Sequence, residues 1–163
     1  MASWWASKAR QSLTHLRASV APGERAGLAD WLTPAQRTMF EAMHVADQRH
    51  GLDVVAALRA RDVDDPEILV AGLLHDAGKG ATGIAPRIVY ALGQRYGQWA
   101  WRTASVVPGF RVALRRLEQH AGTSAALAAA AGCSRRTVEL IRRQDDPPAS
   151  EASRLLHLAD ESS

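Results

Sequence analysis

Residues 64–80 read "DDPEILVAGLLHDAGKG". Asp65 is suited to cap a helix that opens with Pro66 and Glu67, because a carboxylate accepts the free amides of a first turn and proline already has the helical φ. Ile68, Leu69, Leu73 and Leu74 continue that helix, and Gly78 and Gly80 favour its end. The run is apolar enough for a protein core, yet it delivers His75 and Asp76 at its end. Burying such groups without partners costs on the order of several kcal/mol. The segment therefore predicts a buried helix whose last turn meets polar partners from elsewhere in the chain.

The rest of the chain supports a helical domain around it. With 163 residues, 47% hydrophobic and 23% charged, the chain suits one domain with a full core. Ala, Leu and Arg dominate and strand-favouring aromatics are few, so helix is the expected state throughout. Cys133 is the sole cysteine, which excludes a disulfide framework and a thiolate metal cage and fits a reducing cytoplasm. No apolar run reaches the roughly 18–20 residues that span a bilayer, so a cytoplasmic protein with no membrane partner is expected. The formal charge of +3 and the sequence pI of 9.6 suit a phosphate-bearing partner without requiring one.

Residues 1–29 are expected to be an N-terminal amphipathic helix and linker packed on the domain, with Trp5, Leu13, Leu16 and Val20 on one stripe. This acid-poor start also has a faint likeness to an organelle transit peptide. Further helices are predicted over Asp30–Met43, where Thr33 caps and Pro34 opens the first turn, and over Asp47–Arg61. Others are expected over Ala85–Trp101, Phe110–His120, Ser124–Ala131, Ser134–Arg143 and Glu151–Asp160. No alternating strand of useful length and no internal repeat appears. The fold class is all-α, an irregular helical bundle.

Adjacent helical positions point about 100° apart, so His75 and Asp76 converge on one cation only near a helix end. The chain offers His50, 25 residues upstream, and Asp160, on the last helix, as candidates for further ligands. Two imidazoles and two carboxylates suit a divalent metal ion, whether Mn, Fe, Co, Ni, Mg or Zn, with open positions for water or a phosphate oxygen.

The segments "RHGLDVVAAL" (49–58), "DDPEILVAGLLHDAGKG" (64–80) and "LLHLADES" (155–162) together resemble the HD domain superfamily of metal-dependent phosphohydrolases. The resemblance covers most of the chain and implies an HD domain over 30–163. It implies that His50, His75, Asp76 and Asp160 ligate the metal and that Lys79 lies near bound phosphate. Similarity to the HD-GYP type is partial. His120 in "LEQHAGTSAAL" stands where an additional site histidine would lie, but Arg142, Arg143 and Gln144 replace the His pair that would follow. Guanidinium groups do not ligate metal, so a single ion is expected. The implied activity is hydrolysis of a phosphomonoester or phosphodiester, a small phosphorylated substrate of the nucleotide class, by a metal-activated water. Asp76 would orient that water or take its proton, and Lys79 and Arg49 would offset charge on the phosphate.

Plainer readings stand beside these. The His75–Asp76 pair could merely finish a helix, although Asp is unfavourable at a C-terminus. Arg49 could pair with Asp53 four residues on, His120 could be structural, and Asp145 and Asp146 are fallback carboxylates in a turn. His15, His44 and His157 read as surface residues, and Trp99 and Trp101 as core. One alternative is an HD scaffold that binds a nucleotide or a protein partner without turnover. Another is a helix-turn-helix nucleic-acid-binding protein, from "SAALAAAAGCSRRTVELIRRQ" (124–144) with Ser134 as cap and Arg135, Arg136 and Thr137 opening the second helix.

Overall fold

Side-chain caps set most helix starts. Thr33 accepts from the Gln36 amide, Asp65 from Glu67, Ser134 from Thr137 and Ser150 from Ser153, each satisfying an amide that the helix cannot. The computed structural model describes residues 18–80, 82–97, 106–107, 109–146 and 150–163. Among these the chain is all-helical: α1 (Pro22–Gly27), α2 (Pro34–Glu41), α3 (Val45–Arg59), α4 (Pro66–Leu74), α5 (Ile84–Tyr96), α6 (Phe110–Glu118), α7 (His120–Ala130), α8 (Arg135–Arg142) and α9 (Glu151–Ser162). Short 3-10 turns at Leu28–Asp30 and Ala77–Lys79 join them. No helix among the described residues is long and apolar enough to cross a membrane.

Helix α4 is the axis of the packing. Every residue from Ile68 to Leu74 is buried, and α3, α8, α9 and α2 lie against it. Phe40, Val54, Leu58 and Ile141 are fully buried around it, as are Leu73 and Leu74 on α4 itself. A helix covered on all sides needs no polar stripe, which is why its sequence reads as an unbroken apolar run. Two glycines set how closely the neighbours approach. A β-carbon on Gly51 would collide with the Leu73 carbonyl, so α3 crosses α4 with only backbone between them. A β-carbon on Gly78 would collide with the His120 carbonyl and the Ser124 amide, so the turn after α4 rests on the start of α7. Both close approaches lie within a few residues of the His75–Asp76 doublet.

Several helix limits differ from the sequence expectation. The helix expected over Asp30–Met43 is confined to Pro34–Glu41, because Leu28–Asp30 forms a separate 3-10 turn and Thr33 restarts the chain with a capping box to Gln36. His44 caps α3, its Nδ1 accepting from the Ala46 amide, so α3 begins before Asp47. Gln119 leaves helical geometry with φ −100° and ψ 5°, so His120 opens α7 instead of closing α6. Val20 precedes the first described helix, and Trp5, Leu13, Leu16, Trp99 and Trp101 lie outside the described residues.

Candidate metal centre

His75 is the last residue to follow the α4 helix, with φ −56° and ψ −29°, and Asp76 turns away with φ −97° and ψ 2°. That change of direction lets two adjacent side chains serve one region instead of pointing a helical step apart. His50 arrives from α3, placed by the crossing at Gly51, and its ring lies edge-on to that of His75 with centroids 5.2 Å apart. Asp160 arrives from the last turns of α9. The ligand atoms of His50, His75 and Asp160 all lie within 4.8 Å of one another. Asp160 Oδ1 is 2.8 Å from His50 Nε2 and 3.3 Å from His75 Nε2.

Asp76 occupies the inner side of this cluster, with 2% of its side chain exposed. Its carboxylate lies 4.0 Å from His50 Nε2, 3.5 Å from His75 Nε2 and 3.8 Å from His120 Nε2. Lys79 folds back over the 3-10 turn and places Nζ 2.5 Å from Asp76 Oδ2. The lysine expected beside a phosphate thus holds the buried carboxylate.

Backbone carbonyls orient two of the rings. The Gly72 carbonyl accepts from His75 Nδ1 at 2.8 Å and the Leu117 carbonyl accepts from His120 Nδ1 at 2.6 Å. A carbonyl can only accept, so each Nδ1 carries its hydrogen and each Nε2 is the nitrogen turned to the cluster. This is the arrangement that second-sphere carbonyls give to metal-binding histidines. Gln144 adds to the hold on α4's end by donating from Nε2 to the His75 carbonyl at 3.1 Å. The neighbouring segment is tied down by Arg87, which donates to both oxygens of buried Asp47, at 2.6 and 2.8 Å, and to the Thr82 carbonyl. The sequence pattern marks neither Gln144 nor the Asp47–Arg87 pair as functional. The signal for Asp47 was a carboxylate on the same helical face as Gly51, Val54 and Leu58.

The charges are mutually dependent. Burial opposes ionisation of His75, but attraction to Asp76 and the hydrogen bond to Asp160 outweigh it and raise the imidazole to about 9. Burial likewise pushes Asp76 up, yet the cationic surroundings of His75 and Lys79 hold it well below the usual carboxylate range. Asp160 is also held below that range, its desolvation outweighed by hydrogen bonds from His50 and His75. The metal-free protein thus carries a proton on His75 where a cation would sit. Two nitrogens converging on one carboxylate oxygen, each with a lone pair available once deprotonated, fit a divalent ion with N, N, O ligation. Asp160 is 42% exposed in its side chain, so this face of the centre is open to solvent.

A pH prediction follows for the metal-free protein. The raised imidazole contributes stability that is complete below its ordinary value of 6.5 and is lost as pH rises through about 9. The two depressed carboxylates contribute above the ordinary carboxylate range and lose that contribution as pH falls below it. Thermal unfolding in chelator is therefore expected to show greatest stability between roughly pH 5 and 6.5, with a decline on the order of 2–3 kcal/mol toward pH 9. A stability that stays flat or rises between pH 6.5 and 9 would contradict this charge assignment.

Arg49 donates to Glu24 at 2.6 Å and to Asp53 at 3.0 Å, so its hydrogen bonds go to those carboxylates. His44 and His157 are exposed, as are Asp145 and Asp146 in the turn after α8. The α7–α8 pair turns at Gly132, whose φ is +76°. The start of α8 is docked on the start of α4: Arg136 pairs with Asp65 at 2.6 Å and Glu67 at 2.8 Å, and Thr137 donates to the Glu67 carbonyl.

No family model, no curated protein and no solved structure matches the chain.

Proposed function

We propose that this chain is a divalent-metal-dependent phosphohydrolase with an HD-type helical arrangement, acting on a phosphomonoester or phosphodiester of the nucleotide class. The observation that carries the reading is the meeting of Asp160 Oδ1 with His50 and His75 at 2.8 and 3.3 Å, residues from three helices and 110 positions of sequence. Asp76 lies directly behind them. His50, His75 and Asp160 would hold the ion, with Asp76 within reach as a further oxygen ligand. A bound divalent ion supplies polarisation of a phosphoryl oxygen and a water acidified toward neutral pH.

The chain's own residues do the rest. Asp76, kept ionised by its cationic neighbours, would orient a water by accepting its hydrogen bond. Lys79 keeps that carboxylate in one rotamer. His120, oriented by the Leu117 carbonyl, presents Nε2 3.8 Å from Asp76 Oδ1, the oxygen that Lys79 leaves free, and would contact a ligand bound there. The lone cysteine fits a reducing cytoplasm as the place of action.

The helix-turn-helix reading draws less support, because Arg136 and Thr137 are engaged by α4 and a recognition helix needs those positions for DNA. The catalytic reading is tested with purified protein, p-nitrophenyl phosphate, bis(p-nitrophenyl) phosphate and nucleoside phosphates, each with Mn, Co, Ni or Mg. Hydrolysis that stops on chelation and returns with metal is the expected result. Tight binding of metal and nucleotide with no turnover of any of these would overturn catalysis in favour of a binding scaffold.

A further inference from the structure

A cleft runs between the end of α8 and one side of α9. Leu140 and Gln144 form one wall, and Ser153, Leu156 and Asp160 form the other. His75 also lines it, 3.3 Å from Asp160, so two of the candidate metal ligands stand together at one end. Ser153, Leu156 and Asp160 are at spacings of three and four along α9 and share one side of that helix. The helical rise of 1.5 Å per residue puts Ser153 about 10 Å along the cleft from Asp160. The space amounts to about 300 Å³, part of it open to solvent, the low end of the range for small-molecule sites. Asp160 is also the most exposed of the three ligand side chains, at 42% against 24% for His50 and 5% for His75.

Two polar groups in this cleft have hydrogen-bonding capacity to spare. Gln144 Nε2 donates to the His75 carbonyl, which fixes which end of the amide is which, because a carbonyl only accepts. Gln144 Oε1 is then an acceptor that meets no donor among the described residues. Ser153 is 6% exposed, and its Oγ accepts from Ser150 Oγ at 2.8 Å. Its own hydroxyl hydrogen meets no acceptor among the described residues. Arg143 and His157 line the cleft as well, but both are exposed and paired, with Glu139 at 2.7 Å and Glu161 at 3.6 Å. An ionised phosphate has only acceptors to offer, so Gln144 Oε1 would repel it, and a hydrocarbon would leave both groups unpaired. A hydroxyl donates and accepts, and the carbon skeleton of a sugar suits the neighbouring Leu140 and Leu156. We infer that the cleft seats the hydroxyl-bearing sugar that carries the reacting phosphate, with Gln144 Oε1 accepting from the sugar and the Ser153 hydroxyl donating to it. These two residues thereby select phosphate esters of sugars. The inference rests on the phosphohydrolase reading for the position of the phosphate, at the Asp160 end.

The test is calorimetric binding of ribose 5-phosphate and of cyclopentylmethyl phosphate, with manganese in excess. The second compound carries the same phosphate on a five-membered ring without hydroxyls. Wild type is expected to bind ribose 5-phosphate about tenfold or more tighter, the worth of two hydrogen bonds. Ser153→Ala and Gln144→Met should each reduce that preference to about threefold or less, with affinity for cyclopentylmethyl phosphate kept within about twofold. Ser153→Ala leaves the His75 carbonyl untouched, so its manganese affinity should equal that of wild type even if Gln144→Met disturbs the metal. Equal binding of the two phosphates by wild type, binding of neither, or a full preference surviving in Ser153→Ala would overturn the inference. Turnover is not the readout, so the two ideas fail separately. A sugar preference that depends on Ser153 and Gln144 in a protein with no hydrolytic activity sinks catalysis alone. Metal-dependent hydrolysis together with equal binding of the two phosphates sinks the sugar cleft alone.

Discussion

Replacing His75 by alanine is expected to lower divalent-metal affinity by more than about a hundredfold, beyond the usual cost of losing a second-sphere partner. Metal-dependent hydrolysis should fall with it to background. His75 is 4% exposed, sits within reach of both carboxylates and has its other nitrogen committed to the Gly72 carbonyl. No side chain nearby can take its place without moving the end of α4. The check is metal content after gel filtration, together with titration calorimetry, and helicity measured alongside to confirm folding. His157→Ala is the control: that residue lies on the same helix as Asp160 but is exposed and 3.6 Å from Glu161, so metal binding should be unchanged. Metal retained by His75→Ala at wild-type affinity would place the ion elsewhere.

The largest stability effect is expected from Asp76→Asn. The two side chains have nearly the same shape, so the change removes charge and leaves volume. Lys79 at 2.5 Å and protonated His75 at 3.5 Å then lose their buried counter-charge. Removing one partner of a buried ion pair costs about 3–5 kcal/mol. For a chain of this size that is a fall of roughly 6–20 °C in the midpoint of unfolding. Turnover should fall about a hundredfold or more once Asp76 no longer orients the attacking water. A further readout separates this from mere destabilisation: loss of Asp76 should lower the His75 imidazole from about 9, visible in its NMR titration. An unchanged His75 titration in a folded Asp76→Asn protein would show that the carboxylate does not act on this ring.

The parts of this fold that were legible in the sequence are those with local causes. Thr33–Pro34, Asp65–Pro66 and Ser134 announce helix starts because cap and first turn are neighbours in the chain, and each is found where expected. The break between α6 and α7 has no such signal, since neither glycine nor proline marks Gln119, and the sequence pattern therefore extends α6 to His120, which in fact opens α7. At the site, His50, His75 and Asp160 could be gathered from motif spacing, and the three helices bring them together. What spacing could not supply was the pairing of charges. Arg49 meets Glu24 on α1, and Arg87 meets Asp47 across 40 residues, because packing sets those neighbours. Lys79 meets Asp76 because a 3-10 turn stacks positions three apart.

The central claim is that one divalent ion binds between α3, the end of α4 and α9. Crystals grown with manganese and measured for its anomalous scattering address it most directly. The expected result is a single strong peak bonded to Nε2 of His50, Nε2 of His75 and a carboxylate oxygen of Asp160, with Asp76 adjoining. A map with no peak among these residues, or with manganese only at surface carboxylates such as Asp145 and Asp146, would contradict it.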